Sequence, residues 1–291
     1  MNFGIFFYRI LALVLLLAAG GCAYIDSKQG EWIFRPTEAV WRGARAMPAH
    51  FVEHHIPVGG NGDTIHAWWA PVDDASAPVL LYLHGARWNL TGSATRIPRW
   101  NQMGFAVLAI DYRGFGKSTA RAPTEQSSYE DAEAAWSYIN TLAPNRKKFI
   151  FGHSLGGAMA TYLAQKDASA DGLILEATFT NIADMVKATK FGFLPVGGLI
   201  TQRFDNLARI DAIKVPTLIA HGTEDSVVPF AMSEQLFAAA RAHKRFFKAD
   251  GGTHHNLTSR FFDDYARAVG EHFGLRLANN AAVTGALSGA K

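Results

Sequence analysis

A serine flanked by glycines follows an apolar run in the middle of the chain. Residues 148–158 read KFIFGHSLGGA, which places Ser154 in the pattern G-x-S-x-G between Gly152 and Gly156. A predicted strand ends and a predicted helix begins there, so the backbone must turn sharply, and glycines allow neighbouring segments to approach closely. A serine at a helix start can also be an ordinary N-cap. The strand-to-helix context favours a nucleophile held on a tight turn.

A serine hydroxyl is a weak nucleophile unless a base removes its proton and an acid orients that base. Suitable residues follow later in the chain, at the ends of two further apolar runs. Asp225 comes after PTLIAHG, and His254 and His255 come after KRFFKAD and a glycine turn. We predict that Asp225 is the orienting acid and His254 the base, while His255 begins the last helix. Because the base must be neutral, activity is expected to fall in acid.

Two other acids are alternatives to Asp225. Glu224 is its direct neighbour, but the shorter side chain before a turn at Pro229 favours Asp225. Glu176, at the end of the preceding strand, is a second alternative for the orienting acid. Its structural alternative is a hydrogen bond that anchors the next segment.

Cleavage of an acyl bond also requires backbone N–H donors for the oxyanion that forms. One donor is expected to be Leu155, which follows the nucleophile. The other is expected from the loop HGAR after the first buried parallel strand, which makes Ala86 the predicted donor. We expect His84 in the same loop to brace the loop rather than to catalyse.

Strands and helices alternate along most of the chain, which predicts an α/β fold with a mostly parallel sheet flanked by helices. Residues 51–58 and 64–71 predict a hairpin in front of the first buried strand, and residues 90–103 predict a helix. Residues 178–210 interrupt the alternation and predict a short cap insertion. Its apolar residues suit an apolar acyl group, or simply the packing of the cap itself: Phe179, Met185, Phe191, Phe193 and Leu194.

With these motifs, residues 52–273 resemble the α/β-hydrolase superfamily. The supporting signatures are LHG at 83–85, DYRGFGKS at 111–118 and HGTED at 221–225. The cap sequence is similar to the branch that contains membrane-associated serine hydrolases and protein depalmitoylases. The resemblance implies ester or thioester hydrolysis through an acyl-enzyme, with no cofactor and no metal. A serine peptidase or amidase, and a non-catalytic binding protein of the cell envelope with this fold, are the alternatives.

The N-terminus predicts attachment to a membrane. Residues 1–21 form an apolar segment with a single charge, and Cys22, the only cysteine, follows in AGGCA. This resembles the lipobox of bacterial lipoproteins, in which the cysteine carries the lipid, although Ala19 replaces the usual leucine. An uncleaved transmembrane anchor is the alternative, and both predict a domain outside the cytoplasm, in the cell envelope.

Length and charge set the remaining limits. The chain has 291 residues and a formal net charge of +3, with no basic run, which argues against a nucleic-acid partner. An acyl substrate and a membrane are therefore the expected partners. The predicted organisation is a signal segment (1–21), a tether (22–50), one hydrolase domain (51–275) and a disordered tail (276–291).

Overall fold

The computed structural model of the protein describes residues 3–41, 47–189, 192–193 and 196–276. The predicted tail therefore lies outside the described residues apart from residue 276. Phe191 and Leu194, two of the predicted apolar cap residues, also lie outside them.

Eight strands in the described part of the chain form one sheet in the order β1-β2-β4-β3-β5-β6-β7-β8. Strands β3 to β8 run parallel to one another, whereas β2 is antiparallel both to β1 and to β4. The strands are β1 Val52–Val58, β2 Asp63–Ala70, β3 Val79–Leu83, β4 Ala106–Ile110, β5 Lys148–His153, β6 Gly172–Glu176, β7 Thr217–Gly222 and β8 Lys244–Ala249. The predicted mostly parallel sheet is confirmed.

Helices cover both faces of this sheet. They are α1 Phe3–Phe34, α2 Ile97–Gln102, α3 Glu125–Leu142, α4 Gly156–Lys166, α5 Ile182–Lys187, α6 Asn206–Ile210, α7 Phe230–Ala239, α8 Leu257–Arg260 and α9 Phe262–Phe273. Alternate residues of each central strand point into two separate cores. Leu81 and Leu83 join a core with α3, α4, α6 and α7, while Leu80 and Tyr82 join one with α2 and α9.

The helix predicted over residues 90–103 is broken in two. A 3₁₀ turn at Leu90–Ser93 precedes the short α2, and the Asn89 side chain accepts a hydrogen bond from the Thr91 N–H at the start of that turn. Pro98 lies in the first turn of α2. Because a proline fits an α-helix only in its first turn, one continuous helix through this position is disfavoured.

Residues 178–210 follow β6 as an irregular segment. The described part contains α5, a 3₁₀ turn at Val196–Leu199 and α6. None of the α5 residues is buried, so this helix lies on the outside of the domain. The end of the segment is better packed, because Phe204 and Ile210 are buried in the core.

The N-terminal segment is one long helix. By length and composition, residues 8–34 of α1 are able to cross a membrane, a test that signal sequences also pass. Cys22 lies within this helix and is exposed. The helix continues through residues 22–34, at the start of the predicted tether, and its last turns pack on the domain, where Gln29 and Phe34 are buried.

Candidate active site

Ser154 stands on the sharp turn between β5 and α4. Its φ is +54°, in the left-handed region that side chains larger than glycine seldom adopt, at a cost of about 1–3 kcal/mol. The glycines of the motif leave room for this turn. A Cβ on Gly152 would lie 2.4 Å from Gly156 O, and one on Gly156 would lie 2.1 Å from Leu83 O. The residue types around Ser154 are therefore dictated by close backbone contact.

Asp225 and His254 are joined by a hydrogen bond. His254 Nδ1 lies 2.7 Å from Asp225 Oδ2, and the His254 residue is 5% exposed. The second carboxylate oxygen, Oδ1, accepts hydrogen bonds from the N–H groups of Val227 at 2.8 Å and Val228 at 2.9 Å. Both oxygens of this carboxylate are thus held in place by the loop after β7.

The pKa of Asp225 is lowered well below its ordinary value. Burial acts to raise this pKa, but hydrogen bonds from His221 and His254, the charge of His254 and the Val228 N–H together outweigh burial. The carboxylate therefore stays ionised in neutral solution. An ionised carboxylate beside Nδ1 holds the histidine proton on that nitrogen and leaves Nε2 free to accept one.

The loop that carries His254 is fastened to the residue next to Ser154. His153 Nε2 donates to the backbone oxygen of His254 at 2.9 Å, and the two rings lie 4.9 Å apart. In the described structure, the Ser154 hydroxyl itself has no hydrogen-bond partner within 3.5 Å. The contact is thus between His254 and the neighbour of Ser154, and in the described structure no hydrogen bond joins Ser154 to His254.

His221 is a residue of this site to which the sequence assigned no role. It is fully buried at the end of β7, and its Nε2 lies 3.0 Å from Asp225 Oδ2. Its Nδ1 lies 2.5 Å from Ser233 Oγ on α7. A buried polar residue within an otherwise apolar strand, four positions before the predicted acid, is the signal that could have revealed it.

Two backbone N–H groups are available near Ser154. Among the residues that the structure describes, neither the Ala86 nor the Leu155 N–H has a hydrogen-bond partner. The loop after β3 lies directly against the serine, because a Cβ on Gly85 would be 3.1 Å from Ser154 Cβ. His84 braces this loop through contacts to Gly85 O at 2.6 Å and Asp111 Oδ1 at 3.3 Å.

Glu176, the alternative acid, is engaged elsewhere. Its carboxylate pairs with the Arg96 guanidinium, and Glu176 is completely buried while Arg96 is 8% exposed. Its backbone oxygen accepts the Ser154 N–H at 2.9 Å. The side chain that contacts His254 is Asp225 and not Glu176.

Three histidines could serve as metal ligands. His153, His254 and His255 each offer a ring nitrogen, and these atoms lie within 4.8 Å of one another. A metal ion on His254 would occupy the nitrogen that a catalytic base needs. Metal binding and proton transfer at this histidine would therefore exclude each other.

Comparison with known proteins adds a family and a fold. Residues 74–207 match the hydrolase family described as serine aminopeptidase, S33. An uncharacterized protein of Mycobacterium tuberculosis is 30% identical over 258 residues, which are 85% of this chain and 88% of that protein. The lysophosphatidylserine lipase ABHD12 of Danio rerio is 31% identical over 74% of this chain and 56% of its own length, and that of Xenopus tropicalis is 32% identical over 60% and 49%. The chain thus spans about half the length of these lipases.

Solved esterases share the fold. The Pyrococcus furiosus esterase Pf2001 superposes with a TM-score of 0.67 at 17% identity, over 83% of this chain and 97% of that one. Est1E from Butyrivibrio proteoclasticus gives a TM-score of 0.62 at 16% identity, over 76% of this chain and 99% of its own. At this identity the similarity concerns the fold alone.

Proposed function

Because the chain belongs to the α/β-hydrolase superfamily of serine hydrolases, we propose that it cleaves carboxylic esters or thioesters with Ser154, His254 and Asp225 as its catalytic triad. The observation that carries this proposal is the 2.7 Å contact between His254 Nδ1 and Asp225 Oδ2. His254 lies on a loop that is hydrogen-bonded to His153, the neighbour of Ser154. The backbone of Ser154 is strained, and backbone strain is concentrated at functional sites.

The proposed reaction has two halves. His254 Nε2 accepts the Ser154 proton as Oγ attacks the acyl carbonyl, and the ionised Asp225 stabilises the imidazolium that forms. His254 then gives this proton to the leaving alkoxide or thiolate, and the acyl group remains on Ser154. Water attacks the acyl-enzyme in the second half, again with His254 as the base.

The proposed oxyanion donors are the N–H groups of Ala86 and Leu155. Both are free of other partners in the described structure and flank Ser154, so they can turn toward the oxygen that becomes negative. One such donor contributes about 3 kcal/mol to the stability of the transition state. These backbone groups are positioned by the fold and need no side chain.

A serine peptidase or amidase is the second candidate, because the matched family is described as a serine aminopeptidase. An aminopeptidase must bind the positive α-amino group of its substrate, usually with a free carboxylate. The two buried carboxylates at this site, Glu176 and Asp225, are already paired with Arg96 and with histidines. Positive charges of Arg87 and Arg96 also act on His255 beside them. Glu176 and Asp225 are therefore not free to bind an α-amino group, which supports the ester over the amide.

The substrate proposed is an acyl ester or thioester with an apolar chain. The relatives named lysophosphatidylserine lipases support a lipid-like ester. Within the cap segment Phe179 is buried, while Phe193 is 79% exposed. An exposed phenylalanine on the cap segment suits contact with a hydrocarbon chain better than contact with water.

We also propose that the protein is an envelope lipoprotein, lipidated at Cys22 and facing away from the cytoplasm. The apolar α1 and the exposed cysteine support this placement. The proposed organisation is a signal segment (1–21), a tether (22–50) and a hydrolase domain (51–275) with a cap at about 178–210. Metabolic labelling with a radioactive fatty acid should mark the wild type and leave Cys22→Ala unlabelled, whereas equal labelling would contradict lipidation at this residue.

Steady-state kinetics test the proposed activity. Purified protein should hydrolyse p-nitrophenyl esters of increasing acyl length faster than aminoacyl p-nitroanilides, and Ser154→Ala should lower kcat by at least 10³-fold. Ser137→Ala, a change at an exposed serine on α3, is the matched control and should leave kcat unchanged. Faster cleavage of the amides would assign the protein to the peptidases, and no cleavage of either series would support a binding protein.

A further inference from the structure

The last turns of α1 reach the loop after β3 and contact its backbone. The Phe34 carbonyl oxygen accepts a hydrogen bond from the Arg87 N–H at 2.7 Å. Arg87 directly follows Ala86, the proposed oxyanion donor, so this bond acts one residue away from the group that would meet the oxyanion. It links the apolar N-terminal helix to the catalytic loop.

Arg87 needs such support because its backbone is strained. Its φ is +80°, in the left-handed region where a residue with a Cβ persists only when its surroundings fix it. In the described part of the chain, Phe34 O is the acceptor for its N–H. A conformation of this kind would relax if that acceptor moved away.

The Phe34 side chain supports the other end of the loop after β3 through Tyr112. The ring is fully buried and packs edge-to-face with Tyr112, Phe115 and Phe204 at centroid distances of 6.5, 6.2 and 5.6 Å. Tyr112 in turn donates its hydroxyl to the His84 carbonyl oxygen at 3.1 Å. The backbone and ring of one residue therefore reach both ends of the stretch 84–87.

A second contact fixes the helix in place beside the cap. The Gln29 side-chain oxygen accepts from the N–H groups of Thr201 at 2.8 Å and Gln202 at 3.2 Å, and its nitrogen donates to Leu199 O at 2.8 Å. A Cβ on Gly30 would lie 2.0 Å from Pro123 O, so the helix touches the domain closely at the next residue. These contacts leave α1 little freedom to shift along the domain.

We propose that the C-terminal end of α1 is a positioning element of the catalytic site, in which Phe34 holds the loop 84–87 so that the Ala86 N–H faces the developing oxyanion. The inference rests on the proposed function. Removing one oxyanion donor typically costs 10²–10³-fold in kcat, so a partial displacement of Ala86 should cost about tenfold or more.

This role is compatible with both predicted fates of the N-terminus. Cleavage before Cys22 and retention of the whole segment both leave residues 22–34 in the protein. At 1.5 Å per residue, a helix from Cys22 to Phe34 is about 18 Å long. The catalytic loop is then held at a set distance from the lipid anchor by a helix.

Full-length protein in detergent micelles, with three single substitutions, tests the proposal. Phe34→Ala removes the ring, Phe34→Leu keeps an apolar side chain of similar reach, and Trp32→Ala changes an exposed aromatic residue on the same helix. Amide hydrogen exchange of the peptide covering residues 82–90 measures the loop directly. Hydrolysis of p-nitrophenyl acetate and inhibition by a trifluoromethyl ketone, which forms a tetrahedral adduct, measure the oxyanion site.

In Phe34→Ala the amide hydrogens of this peptide should exchange at least tenfold faster than in the wild type. The substitution should also lower kcat about tenfold or more, with KM changed less than threefold. The affinity for the trifluoromethyl ketone should fall by the same factor as kcat. Phe34→Leu should recover most of each loss, and Trp32→Ala should match the wild type. A purely structural role would lower the amount of folded protein without changing ketone affinity per active site.

Unchanged exchange in Phe34→Ala would overturn the proposal, whatever the activity. Faster exchange with unaltered kcat and ketone affinity would also overturn it, because the loop would then function without the helix. Failure of the proposed function has a different signature, since the wild type itself would cleave no ester while the exchange measurement still reports on the loop.

Discussion

His221 Nε2 lies 3.0 Å from Asp225 Oδ2, the same carboxylate oxygen that His254 Nδ1 contacts at 2.7 Å. Val228 O, 3.1 Å from the same His221 nitrogen, is a second acceptor. The buried carboxylate of Asp225 is thus held by contacts to two histidines and by hydrogen bonds from two backbone N–H groups. This arrangement fixes the position of the carboxylate that contacts His254.

Replacing the proposed acid should nearly abolish hydrolysis. Asp225→Asn keeps the size of the side chain but removes the charge that stabilises the imidazolium and fixes the proton on His254 Nδ1, so kcat should fall about 10³–10⁴-fold. Ester kinetics with a parallel melting curve provide the measurement. A fall of less than tenfold in a folded variant would remove Asp225 from the proposed triad.

His221 should act as a positioning residue. His221→Phe removes the contact to Asp225 and leaves Ser233 Oγ without its ring partner, which should lower kcat about tenfold and shift the acid limb of the pH–rate profile. In His221→Gln the amide nitrogen can still reach Asp225, so most of the activity should return. Equal losses in the two variants would indicate that His221 serves the packing of β7 and α7 only.

Glu176→Gln should destabilise the protein without removing catalysis. The substitution leaves the buried Arg96 charge without its partner, which costs about 3–5 kcal/mol. The kcat per folded molecule should change less than tenfold, because His254 keeps Asp225. Chemical denaturation and active-site titration on one preparation separate the two quantities, and a 10³-fold loss of kcat would make Glu176 the orienting acid after all.

The stability of the fold should decline in mild acid through His272. Burial, with the nearby charges of His243 and Arg245, lowers the pKa of His272 from 6.5 to about 4, so the folded state favours the neutral ring. Unfolding takes up a proton between these values. The contribution is therefore complete above pH 6.5 and is lost as the pH falls toward 4.

His272→Gln removes this titrating group. The fall in Tm between pH 7 and pH 5 should shrink by about 2–4 °C, equivalent to about 1 kcal/mol. Melting curves across this range, with an exposed histidine variant such as His50→Gln as the control, check the sign. An unchanged or larger fall in His272→Gln would contradict it.

Features of the fold could be predicted from the sequence where a residue type is compatible with only one local environment. Gly152 and Gly156 around Ser154 imply a turn whose backbone contacts exclude a Cβ, and the structure has those contacts. Continuous apolar runs such as residues 79–83 imply strands buried on both faces, and β3 is buried throughout. The fold follows from such local rules.

Contacts between residues far apart in the sequence could not be predicted in this way. Arg96 and Glu176 are 80 positions apart, and neither has a local pattern that names the other as its partner. Gln29 and Phe34 lie in a segment whose apolar character is explained equally well by a membrane. Their burial depends on where β3, the cap segment and α1 meet, which no single stretch of sequence encodes.

Covalent labelling of Ser154 tests the central claim most directly. Wild-type protein incubated with a fluorophosphonate should gain the mass of one adduct, mapped by peptide mass spectrometry to Ser154. Labelling should vanish in Ser154→Ala, slow at least 10²-fold in His254→Ala and persist in the exposed-serine variant Ser137→Ala. A folded wild type that takes up no adduct, or one that is labelled equally well after Ser154→Ala, would contradict the account.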